Sequence, residues 1–316
     1  MAARASQIPG KKAASVVVVG SSNTDMIIRV DRVPRPGETL LGGEFSTAPG
    51  GKGANQAVAA ARAGGRVAFV ARLGRDPLGD AALEGFRKEG MELAHVVRDD
   101  DHPSGVALIF VGADGENSIG VAGGANQELS PGDIAAAGRL ISRAGVLLLQ
   151  LETPLETVQA AARIARKAGV KVILNPAPAR PLPDALLRNV SLLTPNESEA
   201  SLLSGTRVSG AASAAKAARI LMRRGVPTVI VTLGAKGALV ADGDGARLIP
   251  GFRVKARDTT AAGDVFNGAL AVRLAEGCPL LDAVRFAQAA AAISVTRNGA
   301  QPSIPTRKEI NTMLRS

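Results

Sequence analysis

The chain has a single cysteine, Cys278, in 316 residues, so no disulfide can close within it and a reducing, cytoplasmic setting is expected. Cys278 itself reads as a small apolar residue at a helix junction. Only two histidines are present, His95 and His102, which excludes a metal site built on several imidazoles. His102 lies in "DDDHPSG" and reads as a solvated loop residue. Trp and Tyr are absent and Phe is scarce, which removes the aromatic platforms on which single-stranded nucleic acid usually stacks. The formal charge of +10 still points to anionic partners, either nucleic acid or a polyphosphate. The basic residues are scattered, however, as at Lys167, Lys171, Arg223 and Arg224, in the manner of solvated helix faces, so no nucleic-acid partner is expected. Long hydrophobic runs are also missing. The longest, such as "VLLLQL" at 146–151, fall far short of a bilayer's thickness, so no membrane partner is expected either.

What is present is the composition of a globular chain with a sizeable core, 46% hydrophobic and 21% charged. Residues 1–14 are basic and small and lack the apolar stretch of a secretion signal. They read as a flexible extension, with an organellar transit peptide as the alternative. Residues 15–316 then form one domain. Strand-like runs at 15–20, 67–74, 146–152, 171–176, 191–196 and 228–234 alternate with the Ala-rich helical stretches "GANQAVAAARAGG", "PLETVQAAARIARKAG" and "GAASAAKAARILMRRG". That alternation predicts an α/β fold with a doubly wound, mainly parallel sheet covered on both faces. Two stretches depart from it, "MIIRVDRVPRPGETLLGGEFS" and "SGVALIFVGADGENSIGVAGG". Both show short alternating strands with no helix between them, and "ADGE" is a good hairpin turn. Strands drawn from about 24–47 and 103–124 are therefore expected to form a small antiparallel sheet, serving as a lid over a cleft, a dimer contact, or both.

Several polar segments follow the strands, where an open sheet binds its ligands. "DTTAAGDVFNGAL" at 258–270 presents the consecutive amides of Ala261, Ala262 and Gly263 at the start of a helix, a suitable place for phosphate. Asp264 there reads either as a helix cap or as a general base beside an anion hole. "STAPGGKGANQ" fails as a Walker A loop, with Ser46 where the first glycine is required and Gly53 where Ser or Thr is required. It also fails as a dinucleotide fingerprint, with Gln56 in place of the third glycine. Its Gly51 permits close backbone approach while Lys52 and Asn55 offer donors to hydroxyls; a plain glycine-rich helix entry is the alternative. Asn23 and Asp25 in "GSSNTD" suit a polyol or an Asx turn, and Glu152 ends another strand in the same way. Asn196 and Glu199 share a helix face or make a capping box. "TLGAKG", with Thr232, Gly234, Lys236 and Gly237, either follows a nucleotide or makes a hairpin.

Together these segments resemble the ribokinase-like (phosphofructokinase-B type) carbohydrate kinases, over about residues 16 to 310. "GGKGANQA" is similar to the family's first signature, and "DTTAAGDVFNGAL" to its second and more specific one. "NPAPA", "TPNE" and "GAQPS" match the ribose-acting branch. The resemblance implies ATP-dependent phosphorylation of D-ribose at O5. Another sugar or a nucleoside (deoxyribose, fructose, adenosine), or a silent sugar-binding protein of the same fold, is the alternative. It implies Asp264 as base, with Ala261, Ala262 and Gly263 as anion hole. Asn23, Asp25, Gly51, Lys52, Asn55 and Glu152 are the implied sugar contacts. Nucleotide falls to Asn196, Thr232, Gly234, Lys236, Gly237, Gly263 and Gln288, the last where the family usually carries Asn or His. Glu199 is implied beside Mg²⁺ and phosphate. Asp258, Thr260, Ser294, Arg297, Gly299 and Ser303 fall on a loop for K⁺, a monovalent activator, several through backbone oxygen. A homodimer joined through the lid is implied as well.

Overall fold

The computed structural model describes residues 15–114 and 116–315; the extension expected over residues 1–14 lies outside them, as does Gly115 of the "ADGE" turn. In chain order, β1 (Ser15–Val19) opens the main sheet, and β2 (Asn23–Arg29) and β3 (Glu44–Gly50) leave it. β4 (Arg66–Gly74) and β5 (Glu92–Asp99) return, and β6 (Gly105–Val111) and β7 (Asn117–Ala122) leave again. β8 (Val146–Leu149), β9 (Lys171–Leu174), β10 (Leu192–Leu193), β11 (Thr228–Thr232), β12 (Ala238–Asp242) and β13 (Gly245–Ile249) complete it. The main sheet has nine strands in the order β13-β12-β11-β10-β9-β8-β1-β4-β5. Pairing is parallel from β5 to β11 and antiparallel at β12 and β13.

The all-Val run of β1 shows why the sheet is so apolar. Val16 and Val18 pack with the helices Lys52–Arg62, Ala262–Ala275 and Leu280–Ser294, while Val17 and Val19 pack with Leu155–Lys167 and Ala211–Arg223 on the opposite face. A strand covered on both faces has no polar side to alternate with. From β1 the order steps outward through β4 and β5; the chain then crosses to β8 and steps the other way. The sheet therefore reverses between β1 and β8, and the crevice beyond their carboxyl ends is the natural ligand site.

The strands expected to form a lid make a separate sheet of four in the order β3-β2-β6-β7. Both outer pairs are antiparallel, as expected, but the central pair β2/β6 is parallel. The cause is the point of departure. β2 follows β1 and β6 follows β5, two co-directional strands of one sheet, so both leave by the same edge and continue in the same direction. Phe45, Leu108, Ile119 and Val121 on this sheet are each more than half exposed.

Candidate active site

The helix Lys52–Arg62 begins at Gly51, with no side-chain cap. Gly51 has φ +87°, and a Cβ there would lie 2.6 Å from Asn23 N; one at Gly53 would lie 2.4 Å from Ser21 N. These glycines press the helix start onto the segment leaving β1, where Ala54 N donates to Ser21 O at 2.8 Å. The helix-entry reading of "PGGKGAN" therefore applies, and the close approach that its glycines permit is to the chain's own backbone, where it builds the crevice floor. Glu152, just beyond β8, accepts from Ser21 Oγ at 2.5 Å and from Lys52 N at 2.9 Å. Asn23 Oδ1 accepts from Asn126 Nδ2 at 2.8 Å.

Asp264 is buried at the third position of the helix Ala262–Ala275, and its carboxylate does not cap that helix. Instead Oδ2 accepts from Asn55 Nδ2 at 3.1 Å and Oδ1 from Gln56 Nε2 at 2.9 Å. Burial raises its pKa, against the pull of the Lys52 ammonium and these two donors. The residue before the helix, Ala261, sits in the left-handed region with φ 58°, which turns the entering chain sharply. Ala262 N donates to Thr259 O at 3.2 Å, while the amides of Ala261 and Gly263 have no partner among the described residues. A Cβ on Gly263 would meet nothing within 4 Å. Of the three amides expected to receive an anion, two are open and that of Ala262 is engaged.

Lys52 stands among carboxylates. Burial alone would depress its ammonium, but Asp264, Glu152, Glu199 and Asp25 outweigh burial and hold it above its ordinary value. Asp25, on β2, is pushed up to about 6 by burial and by the charges of Glu152 and Asp264. Burial also raises Glu199, against its bond from Asn196 and the charge of Lys52. One cation therefore faces four acids, an arrangement that needs further positive charge before a polyphosphate can enter.

Two cavities meet at this point. One of about 170 Å³ is lined by Lys52, Asn196, Glu199, Thr232, Gly263 and Asp264 among others. The other, of about 470 Å³, is lined by Gly234, Gly237, Phe252, Val254, Phe266 and Gln288 and shares Thr232, Thr259, Ala262 and Gly263 with the first. An apolar chamber opening into a polar one beside free helix amides has the form of a nucleotide site, base in one and phosphates in the other. Gln288 donates to Ile249 O at 2.8 Å and keeps an unpaired buried Oε1. "TLGAKG" forms the β11–β12 turn, as its hairpin reading has it, and Thr232, Gly234 and Gly237 also line the larger cavity. Lys236 lines neither cavity; its Nζ lies 3.4 Å from Ser209 O. Asn196 and Glu199 do form a capping box, and Glu199 faces the smaller cavity with what remains free.

Asp258 ties two segments together, accepting from Thr260 N at 2.8 Å and Gly299 N at 2.8 Å. Burial would raise its pKa, but those bonds and the charge of Arg29 lower it. Ser294 Oγ and Ser303 Oγ donate to Ala291 O at 2.8 Å and Ala300 O at 2.7 Å, so their oxygen lone pairs stay available. The Arg297 guanidinium pairs with Glu309, leaving only its carbonyl for a cation. Hard oxygens of this kind fit a monovalent cation.

Sequence reasoning did not assign roles to Ser21, Gln56, Gln150, Thr194 or Asn267, all buried polar residues around Asp264. For Gln56, Gln150 and Asn267 the signal was a polar side chain interrupting an apolar run, as Gln150 does in "VLLLQL".

The model of the pfkB family carbohydrate kinases matches residues 13–307. The ribokinase of Haemophilus influenzae is 49% identical over 295 residues, which are 93% of this chain and 96% of that protein. The deoxyribokinase of Salmonella typhi is 39% identical over 300 residues, 95% of this chain and 98% of its own. The structure of Arabidopsis thaliana ribokinase complexed with ribose and ATP superposes with a TM-score of 0.90, at 35% identity over 96% of this chain and 100% of that one.

Proposed function

Because the chain belongs to the pfkB family of carbohydrate kinases, we propose that it transfers the γ-phosphoryl group of ATP to O5 of D-ribose, giving ADP and D-ribose 5-phosphate. The observation that carries this reading is the placement of Asp264: a buried carboxylate between the helix that bears Lys52 and Asn55 and the open amides of Ala261 and Gly263.

The sugar lies against Asn23, Asp25, Gly51, Lys52, Asn55 and Glu152, with O5 toward Asp264. As O5 attacks phosphorus in line, its proton passes to an Asp264 oxygen, the O5–P bond forms, and the bond to the β-phosphate oxygen breaks. A raised pKa makes Asp264 a better base than an exposed carboxylate. The Ala261 and Gly263 amides stabilise the equatorial oxygens of the transferring group, and Lys52 offsets charge between donor and acceptor. The four-acid surroundings of Lys52 suit Mg²⁺ carried in with the nucleotide, because Mg²⁺ is commonly bound by substrate phosphates with one or two carboxylates. Glu199 is the acid for that position. When bound there, Mg²⁺ would supply charge neutralisation to the polyphosphate. K⁺ fits the oxygens of Asp258, Thr260, Ser294, Arg297, Gly299 and Ser303, where it would stiffen the loop behind the Ala261 amide. The exposed apolar residues of the lid support a homodimer paired through that sheet. The reducing interior expected from the single cysteine remains the proposed location; among the described residues, no helix is long and apolar enough to cross a membrane.

The similarity to a deoxyribokinase favours 2-deoxyribose as the second acceptor to consider. The test is ADP release from ATP with Mg²⁺ and K⁺, comparing no sugar, D-ribose, 2-deoxyribose, fructose and adenosine. Ribose-dependent release well above the blank is expected, and release at the blank rate with ribose would overturn the assignment.

A further inference from the structure

Behind the Asp264 carboxylate lies a chain of buried amides, of which Gln56 and Gln150 line neither cavity while Asn175 and Asn267 reach the wall of the smaller one. Gln56 is fully buried, one residue beyond the Asn55 that the signature motif highlights. Its Nε2 donates both hydrogens, to Asp264 Oδ1 at 2.9 Å and to Asn175 Oδ1 at 3.0 Å. Its Oε1 accepts from Gln150 Nε2 at 2.6 Å. Asn175 Nδ2 donates in turn to Thr194 O at 3.2 Å; Thr194 Oγ1 donates to Asn267 Oδ1 at 2.7 Å, and Asn267 Nδ2 to Gly263 O at 2.8 Å. We propose that Gln56, held from behind by Gln150 and Asn175, is the positioning residue that sets the plane of the Asp264 carboxylate and keeps it a proton acceptor.

The direction of every amide in this chain is fixed from both ends. At one end an ionised carboxylate can only accept, so Gln56 must present nitrogen to Asp264 and oxygen to Gln150. At the other, the backbone carbonyl of Thr194 can only accept, so Asn175 must present its oxygen to Gln56. Gln150 reaches its place only because residue 20 is glycine: a Cβ there would lie 2.0 Å from Gln150 Oε1. Apart from Gln150 Oε1, which is buried without a partner among the described residues, the side-chain amides of this chain are paired, and a paired buried network has one low-energy arrangement. Its last link is the carbonyl of Gly263, whose amide faces the incoming phosphate, so the same chain holds the base and one wall of the anion hole in fixed relation. A donated hydrogen bond also favours the charged form of a carboxylate, opposing the burial that raises Asp264.

This inference rests on the kinase reading, so the experiment separates the two. Gln56→Met keeps the size and loses both donors. Steady-state kinetics at saturating sugar and ATP should show kcat reduced by about 10- to 100-fold, with both KM values within about threefold. The acidic limb of kcat should move to higher pH. Asp25 on β2, Lys52, Glu152 and Glu199 also face Asp264, and burial pushes Asp25 up to about 6. The shift is therefore read in kcat, which reports the complex with substrate, and independently by NMR of ¹³C-carboxyl aspartate, with Asp264→Asn identifying the resonance. Gln150→Met, which touches neither Asp264 nor the cavities, should move the same midpoint in the same direction by less, and it carries the test if Gln56→Met does not fold. A kcat within twofold of the parent, or a fall in kcat with the Asp264 midpoint unmoved, would overturn the proposal. If the parent protein shows no sugar-dependent turnover, the kinase reading fails and the resonance midpoint still decides whether Gln56 governs Asp264.

Discussion

Two helix starts face the same polar cavity, and each carries an acid at its third position. In the helix Glu197–Ser204 the acid, Glu199, turns back: it accepts from Asn196 N at 2.9 Å and Asn196 Nδ2 at 2.9 Å, while Asn196 Oδ1 accepts from Glu199 N at 2.8 Å. In the helix Ala262–Ala275 the acid, Asp264, turns away to Asn55 and Gln56, and the preceding Ala261 has only a methyl to offer. The first helix satisfies the amides of Asn196 and Glu199 through its own capping box. The second leaves those of Ala261 and Gly263 open to a ligand, forgoing a cap interaction of about 0.5–2 kcal/mol and holding a left-handed alanine besides. Where the same dipole and the same kind of residue occur twice, the anion site is the end that lacks a cap.

Breaking the comparison at its centre should have the largest effect. Asp264→Asn removes the base, and kcat should fall by about 10²–10⁴-fold with ATP affinity largely kept. The same substitution should raise stability at neutral pH. Burial lifts the folded-state pKa of Asp264 above its unfolded value, so the stability it contributes is present at low pH and is lost as pH rises through the folded pKa. An uncharged residue avoids that loss. Asn55 can absorb the change, because its Oδ1 has no partner and a turn of the amide presents it to the new donor. Thermal melts at pH 7 and at acid pH, run beside the kinetics, check this. A variant that melts lower than the parent at both would mean that the carboxylate is structural.

Gly263→Ala sharpens the distinction from the ligand's side. A methyl there meets no protein atom and improves helix propensity by roughly 0.5–1 kcal/mol, yet it occupies the space beside the open amides. Activity at limiting ATP should fall about tenfold, equal to about 1.4 kcal/mol of lost stabilisation, with the melting temperature unchanged or raised. Asn196→Ala acts on the other helix. It should cost about 0.5–2 kcal/mol by urea unfolding, and its kinetic effect should be smaller than that of Gly263→Ala if Asn196 serves mainly as a cap. A loss of ATP affinity greater than for Gly263→Ala would reverse that ranking.

The spacing of Asn196 and Glu199 made a capping box visible in the sequence, whereas Asp264 read equally well as cap or base. The deciding partners, Asn55 and Gln56, lie 209 and 208 residues away, and no local pattern reports contacts of that range. The buried parallel strands were legible because each is a continuous apolar run, although the buried antiparallel β12, "ALVAD", was not singled out; β5 was passed over because this edge strand, "ELAHVVRD", is only partly buried and mixes charge with apolar residues. Alternation exposed the lid strands, but the parallel pairing of β2 with β6 depends on where two distant segments leave the main sheet. The amides behind Asp264 were written as polar interruptions in apolar elements, at Gln56 within an Ala-rich helix and at Gln150 after "VLLL". Such an interruption announces a buried polar group without saying what it bonds.

The smallest expected effect concerns the turn that exposes the amides. Ala261 is the only non-glycine with positive φ among the described residues. Glycine would relieve a left-handed strain of about 1–2 kcal/mol, but it would also free the unfolded chain at a cost of about 0.4–1 kcal/mol. The two partly offset, so Ala261→Gly should stabilise the protein by about 0–1.6 kcal/mol in urea unfolding, with kcat close to the parent value. A clear stability loss would mean that the methyl packs against something the backbone account omits. Unchanged stability with a fall in kcat would be more informative: it would mean that the strained alanine restricts the turn so that the open amides are held ready for the phosphate, and that this helix gives up an ordinary cap for preorganisation as well as for vacancy.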